Sequence, residues 1–286
     1  MRPLVLAATL GVVIGVMALL WVGSQLSEPA NRPVGSPPPD LQASAVVIPV
    51  SDSEFVSGWF ARGRRGSGAV LLLHGIRSDR RQMLGRARFL RAADYSVLLV
   101  DLQAHGESPG ERITFGARES SGVLASLAFL RRELPADPIG VIGVSLGAAS
   151  LVLAHPTPAP DAVVLESMYP SIEEAVSDQL AIRLGAIGAE FAPLLIWQLK
   201  VRLGLSPDRL RPIQKISSIG APTLIASGTE DKHTPWPETK RIFATAADPK
   251  ELWKISGAAH EDLHSFAPSE YEARILEFFS RWLRMN

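Results

Sequence analysis

Ile139-Gly140-Val141-Ile142-Gly143-Val144-Ser145-Leu146-Gly147-Ala148-Ala149 is the stretch whose reading decides the fold. Up to Val144 it is apolar throughout, which suits a strand buried on both faces. From Leu146 to Ala154 it is a run of small and apolar residues that reads as a helix. The junction, Gly143-Val144-Ser145-Leu146-Gly147, has the G-x-S-x-G pattern. A sharp strand-to-helix turn at this point lifts a serine hydroxyl above the sheet. Glycines two residues before and two after keep side chains out of a crowded turn. The pentapeptide alone is a weak signal, and its place between an apolar strand and a small-residue helix is what makes it informative.

The same alternation runs outward in both directions. Val46 to Val50 and Phe55 to Phe60 read as an opening pair of strands, and Val70 to Leu73 and Val97 to Val100 as short apolar ones. Arg80 to Ala93 and Phe115 to Leu134 read as helices, the first with Met83, Leu84, Ala87 and Leu90 on one face. Downstream, Ala162 to Leu165, Thr223 to Ala226 and Leu252 to Ile255 read as strands, and Tyr271 to Leu283 as the last helix. Apolar strands alternating with amphipathic helices predict an α/β fold, with a mostly parallel sheet covered on both faces. The rhythm breaks between Glu166 and Thr223, where roughly 55 residues carry no clear strand, too many for an ordinary loop. Ile172 to Leu203 reads as helices interrupted at Gly185, Gly188 and Pro193, which predicts a helical cap over residues 168–215.

Several motifs in this order resemble the α/β-hydrolase superfamily, and within it the monoacylglycerol-lipase-like and serine-aminopeptidase-like branch. Leu73-His74-Gly75 ends an apolar strand as that family's His-Gly loop does. Asp101-Leu102-Gln103-Ala104-His105-Gly106-Glu107-Ser108 is similar to its D-x-R-G-H-G-x-S loop, with Gln103 and Ala104 in place of Arg and Gly. The resemblance spans about Ala45 to Leu283. It implies a serine hydrolase with Ser145 as nucleophile, Asp231 after the strand Thr223–Ala226, and His260 after the strand Leu252–Ile255. It also implies a second oxyanion donor at Ile76, beside the amide of Leu146 that follows the nucleophile. Elementary chemistry agrees, because a serine hydroxyl needs an adjacent base near neutral pH. A histidine accepts its proton, and a buried carboxylate holds the imidazole in the right tautomer. All three residues follow strands, whose C-terminal ends share one edge of a parallel sheet. Glu230 stands as an alternative acid and His264 as an alternative base. His74 and His105 are expected to serve as hydrogen-bonding groups in turns, and His155 and His233 as surface residues.

The N-terminus carries a different message. Leu4 to Val22 is uncharged and apolar over about 19 residues, or about 28 Å of helix, close to a bilayer core. Residues 1–26 are therefore expected to anchor the chain in a membrane through residues 4–22. With Arg2 on the cytoplasmic side, the catalytic domain lies outside the cytoplasm. Val22-Gly23-Ser24 also suits a signal-cleavage site, the alternative being secretion. Residues 27–44, rich in proline and small polar side chains, read as a loose linker to a hydrolase domain over 45–286. On this reading anchor and enzyme are separable parts.

Composition bounds the remaining classes. Lys plus Arg equals Asp plus Glu at 29 each, so no basic surface points to nucleic acid. The chain has no cysteine, which excludes a thiol nucleophile and thiolate metal sites. No cofactor is implied. The expected reaction is cleavage of a carboxylic ester with a lipid-like or other acyl group. A serine aminopeptidase or amidase on the same residues is the alternative, and oligomeric state is left open. Two further classes compete. One is a non-catalytic binding module on the same fold. The other is a zinc metallopeptidase, because His260-Glu261-Asp262-Leu263-His264 formally fits H-E-x-x-H. That chemistry needs both histidines on one helix face, whereas here the motif follows a strand and turn and precedes Pro268. The serine reading predicts that EDTA leaves hydrolysis intact and that purified protein carries no stoichiometric zinc. Activity lost to chelator and restored by Zn²⁺ would reverse the choice.

Overall fold

Four strands whose every residue is buried form the centre of the molecule: β4 (Ala69–Leu73), β5 (Ser96–Val100), β7 (Ile139–Val144) and β8 (Ala162–Glu166). The computed structural model describes Arg2 to Arg284, so Met1, Met285 and Asn286, at the ends of the expected anchor and domain, lie outside the described residues. The central strands join β2 (Ser44–Pro49), β3 (Phe55–Ala61), β9 (Thr223–Gly228) and β10 (Lys250–Ile255) in one sheet of order β10-β9-β8-β7-β4-β5-β3-β2. Only the β2–β3 and β3–β5 pairings are antiparallel. A separate short ladder pairs β1 (Ala30–Asn31) with β6 (His105–Gly106).

Side chains alternate across this sheet as strand geometry requires. Ala69, Leu71 and Leu73 enter the core layer that α3 (Glu119–Glu133), α4 (Leu146–Ala154) and α8 (Trp236–Thr245) cover. Val70 and Leu72 enter the layer under α2 (Leu84–Ala92), α9 (Leu263–Phe266) and α10 (Pro268–Leu283). The chain runs from β4 to β5, then returns across β4 to β7. Strand order therefore reverses at the β4–β7 crevice, the position where ligands bind in open α/β sheets.

The expected cap is three helices, α5 (Ile172–Leu184), α6 (Ala186–Ala189) and α7 (Ala192–Leu203). Gly185 ends α5 at φ 71°, and Pro193 sits in the first turn of α7, where its missing N–H costs nothing. Gly188 does not break a helix. A side chain there would meet the Leu180 carbonyl at 2.4 Å, so glycine lets α6 lie against α5.

Three sequence expectations change. The third helix begins at Glu119 rather than Phe115, because Phe115 and Gly116 take positive φ. The buried Glu119 carboxylate accepts the Thr114 and Gly116 N–H groups and so fixes that turn. Helix α8, absent from the sequence reading, starts after Pro235 in a segment whose polar residues mask its one buried face. The linker is not loose. Ala30 N–H donates to Ala104 O at 2.7 Å, Asn31 Nδ2 to Ser108 O at 2.6 Å, and Val34 and Gly35 N–H to the Glu107 carboxylate. Prolines and small residues cannot build a core of their own, but their backbone groups find partners on the loop that follows β5.

A buried ionic knot ties the two halves of the sheet edge. Arg86 on α2 bonds the Glu166 carboxylate at the end of β8, Tyr271 Oη on α10, and Asp262 just before α9. Arg86 and Glu166 are both fully buried. Arg86→Met removes one partner and leaves the other charge uncompensated, and is expected to cost about 3–5 kcal/mol. Urea unfolding checks this, and a loss below about 1 kcal/mol would show that the knot is not closed in solution.

Candidate active site

The turn after β7 places Ser145 at φ 48° and ψ −106°, a conformation costing on the order of 1–3 kcal/mol. Its N–H donates to Glu166 O at 2.8 Å and its carbonyl accepts from Ala149 at 3.0 Å, so β8 and α4 hold the strained residue from both sides. The two glycines are required sterically. A Cβ on Gly143 would lie 2.6 Å from Ala148 N, and one on Gly147 would lie 2.6 Å from Leu73 O. Leu146 opens α4, so its N–H belongs to the first helical turn, where donors have no intrahelical acceptor.

Ser145 and His260 line one cavity of about 140 Å³, together with Ile76 and Leu146. An apolar cavity of roughly 150 Å³ holds a benzene-sized group. His260 lies in the loop after β10, and its Nδ1 is 2.8 Å from Asp231 Oδ2. Asp231 follows β9 and is 3% exposed. Its Oδ1 accepts from the N–H groups of His233 and Thr234, and its Oδ2 from Thr234 Oγ1. Burial opposes ionisation of Asp231, yet the bonds from His260 and Thr234 outweigh it and hold the carboxyl below its ordinary range. An acceptor-only carboxylate at this spot makes His260 Nδ1 the donor, which leaves Nε2 free to accept a proton.

The alternatives separate cleanly. Glu230 is exposed, and the carboxylate bonded to His260 is that of Asp231. His264 bonds Glu272 at 2.9 Å and stacks on Phe89. His260 precedes the first residue of α9, so the two histidines of the H-E-x-x-H pattern do not share a helix. Among the described residues, no group of three His, Asp or Glu side chains is placed to hold a metal ion.

The His-Gly loop is built on a neutral histidine. Leu102 N–H donates to His74 Nε2 at 3.0 Å, so Nδ1 carries the hydrogen and donates to Gly75 O at 2.7 Å. Gly75 N–H is held in turn by Gln82. These bonds set the backbone that leads to Ile76. Burial pushes the His74 pKa down to about 3, and that of His105, against Gln103 O, down to about 4. Ala104 takes φ 60°, a left-handed conformation that glycine adopts without strain. The buried Gln103 amide finds no partner among the described residues, so the two departures from the family pattern strain this loop without reaching the cavity.

Three wall residues run against the sequence reading. His233, expected at the surface, lines the cavity with its ring 4.8 Å from that of His260. Its position two residues after Asp231 was the available signal. Val22 and Leu26 of α1 (Arg2–Leu26) also line the cavity, which corrects the view of anchor and enzyme as separable parts. His155, as expected, is exposed, bonded to Ser218.

A strained serine at the β7–α4 elbow, beside the strand-order reversal of a mostly parallel sheet, defines an α/β hydrolase. The chain belongs to the alpha/beta hydrolase family, whose profile matches residues 70–274. It is 32% identical over 256 residues to an uncharacterized protein of Mycobacterium tuberculosis, covering 87% of this chain and 84% of that protein. It is 26% identical over 205 residues to the lysophosphatidylserine lipase ABHD12 of Danio rerio, covering 68% of this chain and 51% of that protein. Among solved structures it is similar to the Pyrococcus furiosus esterase Pf2001, with TM-score 0.74 and 25% identity over 90% of this chain and 98% of that one.

The buried histidines generate a pH prediction. Both have folded-state pKa values below the ordinary 6.5, so the unfolded chain binds more protons between those values and 6.5. Stability is then complete above about pH 6.5 and falls on acidification, by on the order of 2 kcal/mol for each histidine at pH 5. Urea midpoints at pH 7 and pH 5 measure this, and His105→Asn is expected to flatten the difference. An unchanged slope in that variant would show His105 to be solvated.

Proposed function

We propose that the chain is a serine hydrolase that cleaves a carboxylic ester with an apolar, lipid-like acyl group. The observation that carries this reading is His260: one ring nitrogen is tied to buried Asp231 while the ring faces the cavity that Ser145 lines. In the proposed reaction, Ser145 Oγ attacks the ester carbonyl as His260 Nε2 takes its proton. The tetrahedral oxyanion is stabilised by the N–H groups of Ile76 and Leu146. His260 then protonates the leaving alcohol as the carbon–oxygen bond breaks, which leaves an acyl group on Ser145. Water, deprotonated by the same histidine, releases the acid and restores the serine.

The surroundings support an apolar substrate. Phe115, Tyr169, Ile172, Val176, Leu180 and Leu195 face the cavity. Among the described residues that line it are Arg183 and Gln179 but no Asp or Glu to pair the ammonium group that an aminopeptidase would recognise. On the cap, Leu195 and Leu199 are buried, whereas Leu184, Ile187, Phe191, Leu194, Trp197 and Val201 are exposed. Packing explains the first set and leaves the second available to an apolar phase. Val5–Leu26, which contains an 18-residue window of mean hydropathy 2.5, is long enough to cross a bilayer. We read it as a retained anchor with the N-terminus in the cytoplasm and the domain outside. The relatives named as lipase and esterase fit the same chemistry.

A fluorophosphonate probe is expected to label Ser145 covalently. Ser145→Ala abolishes labelling and lowers kcat on a p-nitrophenyl ester by roughly 10³–10⁶-fold. His260→Ala is similarly inactive, while Glu261→Gln and His264→Ala remain active. Full labelling or full turnover by Ser145→Ala would overturn the proposal, and faster cleavage of aminoacyl anilides than of esters would move it to the amidase alternative.

A further inference from the structure

Helix α1 is two different helices in its exposure. From Val5 to Met17 the apolar side chains Val5, Leu6, Leu10, Val13, Ile14, Val16 and Met17 stand in the open. From Leu19 onward one face turns to the enzyme. Leu19, Val22, Gly23 and Leu26 recur at the spacing of one helical stripe. Leu19, Val22 and Leu26, each partly buried, pack against the main core, and Gly23 meets Gln198 of α7. A Cβ at Gly23 would fall 2.3 Å from Gln198 Oε1, so the absence of a side chain lets the two helices touch. Gln198 Nε2 donates to Leu19 O at 3.1 Å, and Arg202 Nη2 to Leu20 O at 2.6 Å. The chain beyond is secured as well, with Ser27 O accepting from Ile113 N–H at 2.9 Å and β1 paired with β6.

This docking puts the last turn of the membrane helix against the reacting groups. Val22 and Leu26 line the same cavity as Ser145 and His260. A smaller cavity, bordered by Gly23, Leu26, Phe115 and Leu199, lies between α1 and α7 and shares Leu26 and Phe115 with the first. A chain of apolar atoms leaving the ester carbonyl therefore meets the anchor. We propose that Val22 and Leu26 form the acyl-binding wall of the Ser145 cavity and set the acyl-chain length that the enzyme accepts. The inference rests on the serine-hydrolase reading and goes beyond it: the helix that fastens the protein to the membrane is part of its specificity pocket. Cleavage near Val22-Gly23-Ser24 would remove Val22 from that wall and detach Leu26 from the helix that holds it.

The test uses the full chain in detergent and p-nitrophenyl esters from acetyl to dodecanoyl. Leu26→Trp fills the cavity and is expected to lower kcat/KM for octanoyl relative to acetyl by ~10-fold or more, mainly through KM. Leu26→Ala enlarges it and moves the optimum toward longer chains. Val13→Trp, on the exposed part of the same helix, keeps the wild-type profile. Near-UV circular dichroism and the urea midpoint show whether each variant is folded. Folded Leu26 variants with the wild-type chain-length profile would overturn the inference and leave the hydrolase reading standing. A wild-type chain inert toward every ester in the series would overturn both.

Discussion

The turn at Ser145 is the constraint on which the rest of the sheet edge depends. A non-glycine residue at φ 48° is stable only when its neighbours leave it no other conformation. Here Gly143 and Gly147 let the strand and helix approach within a distance that any side chain would block. The Glu166 carbonyl and the first turn of α4 then hold the serine backbone from two sides. The hydroxyl is thereby raised at the β4–β7 crevice, where strand order reverses and where the His-Gly loop after β4 and the loops after β9 and β10 converge.

The knot around Arg86 extends the same constraint outward. Glu166 accepts the Ser145 N–H through its backbone and bonds Arg86 through its side chain. Arg86 in turn holds Asp262, two residues after His260. One buried guanidinium thus connects the strand beside the serine with the loop that carries the histidine. Asp231, set by the Thr234 side chain and two backbone donors, orients His260 from the other side. Positioning on this edge is shared among backbone bonds, an ionic knot and a turn, so a small displacement of any one is opposed by the others.

Much of this was readable in the residues themselves because it is local. Ile139 to Val144 is apolar throughout, as a strand buried on both faces must be, and the elbow glycines sit at fixed offsets from Ser145. Asp231 and His260 each lie a few residues beyond a strand. Most of what escaped the reading depends on contacts remote in sequence. The prolines of residues 27–44 predict a tether, and contacts more than seventy residues on, with the Glu107 carboxylate and the Ala104 and Ser108 carbonyls among them, turn that segment into part of the domain. The length and hydropathy of α1 suit a membrane span or a signal sequence, and nothing in its composition marks Val22 and Leu26 as wall residues until α7 packs beside them. Phe115 reads as helix by periodicity, but the Glu119 carboxylate captures the preceding turn and delays the start. Local pattern specified the sheet and the positions of Ser145, Asp231 and His260 beyond its strands, and tertiary contact specified the walls.

The central claim is a covalent acyl intermediate on the elbow serine, and trapping it is the most direct measurement. A p-nitrophenyl acyl ester mixed with the enzyme, quenched in acid within the first turnover and digested, places any acyl group by mass on a single peptide. The account predicts a burst of about one p-nitrophenol per enzyme and an acyl adduct on the peptide that contains Ser145. Turnover with no burst and no adduct, or an adduct on any other residue, would contradict it.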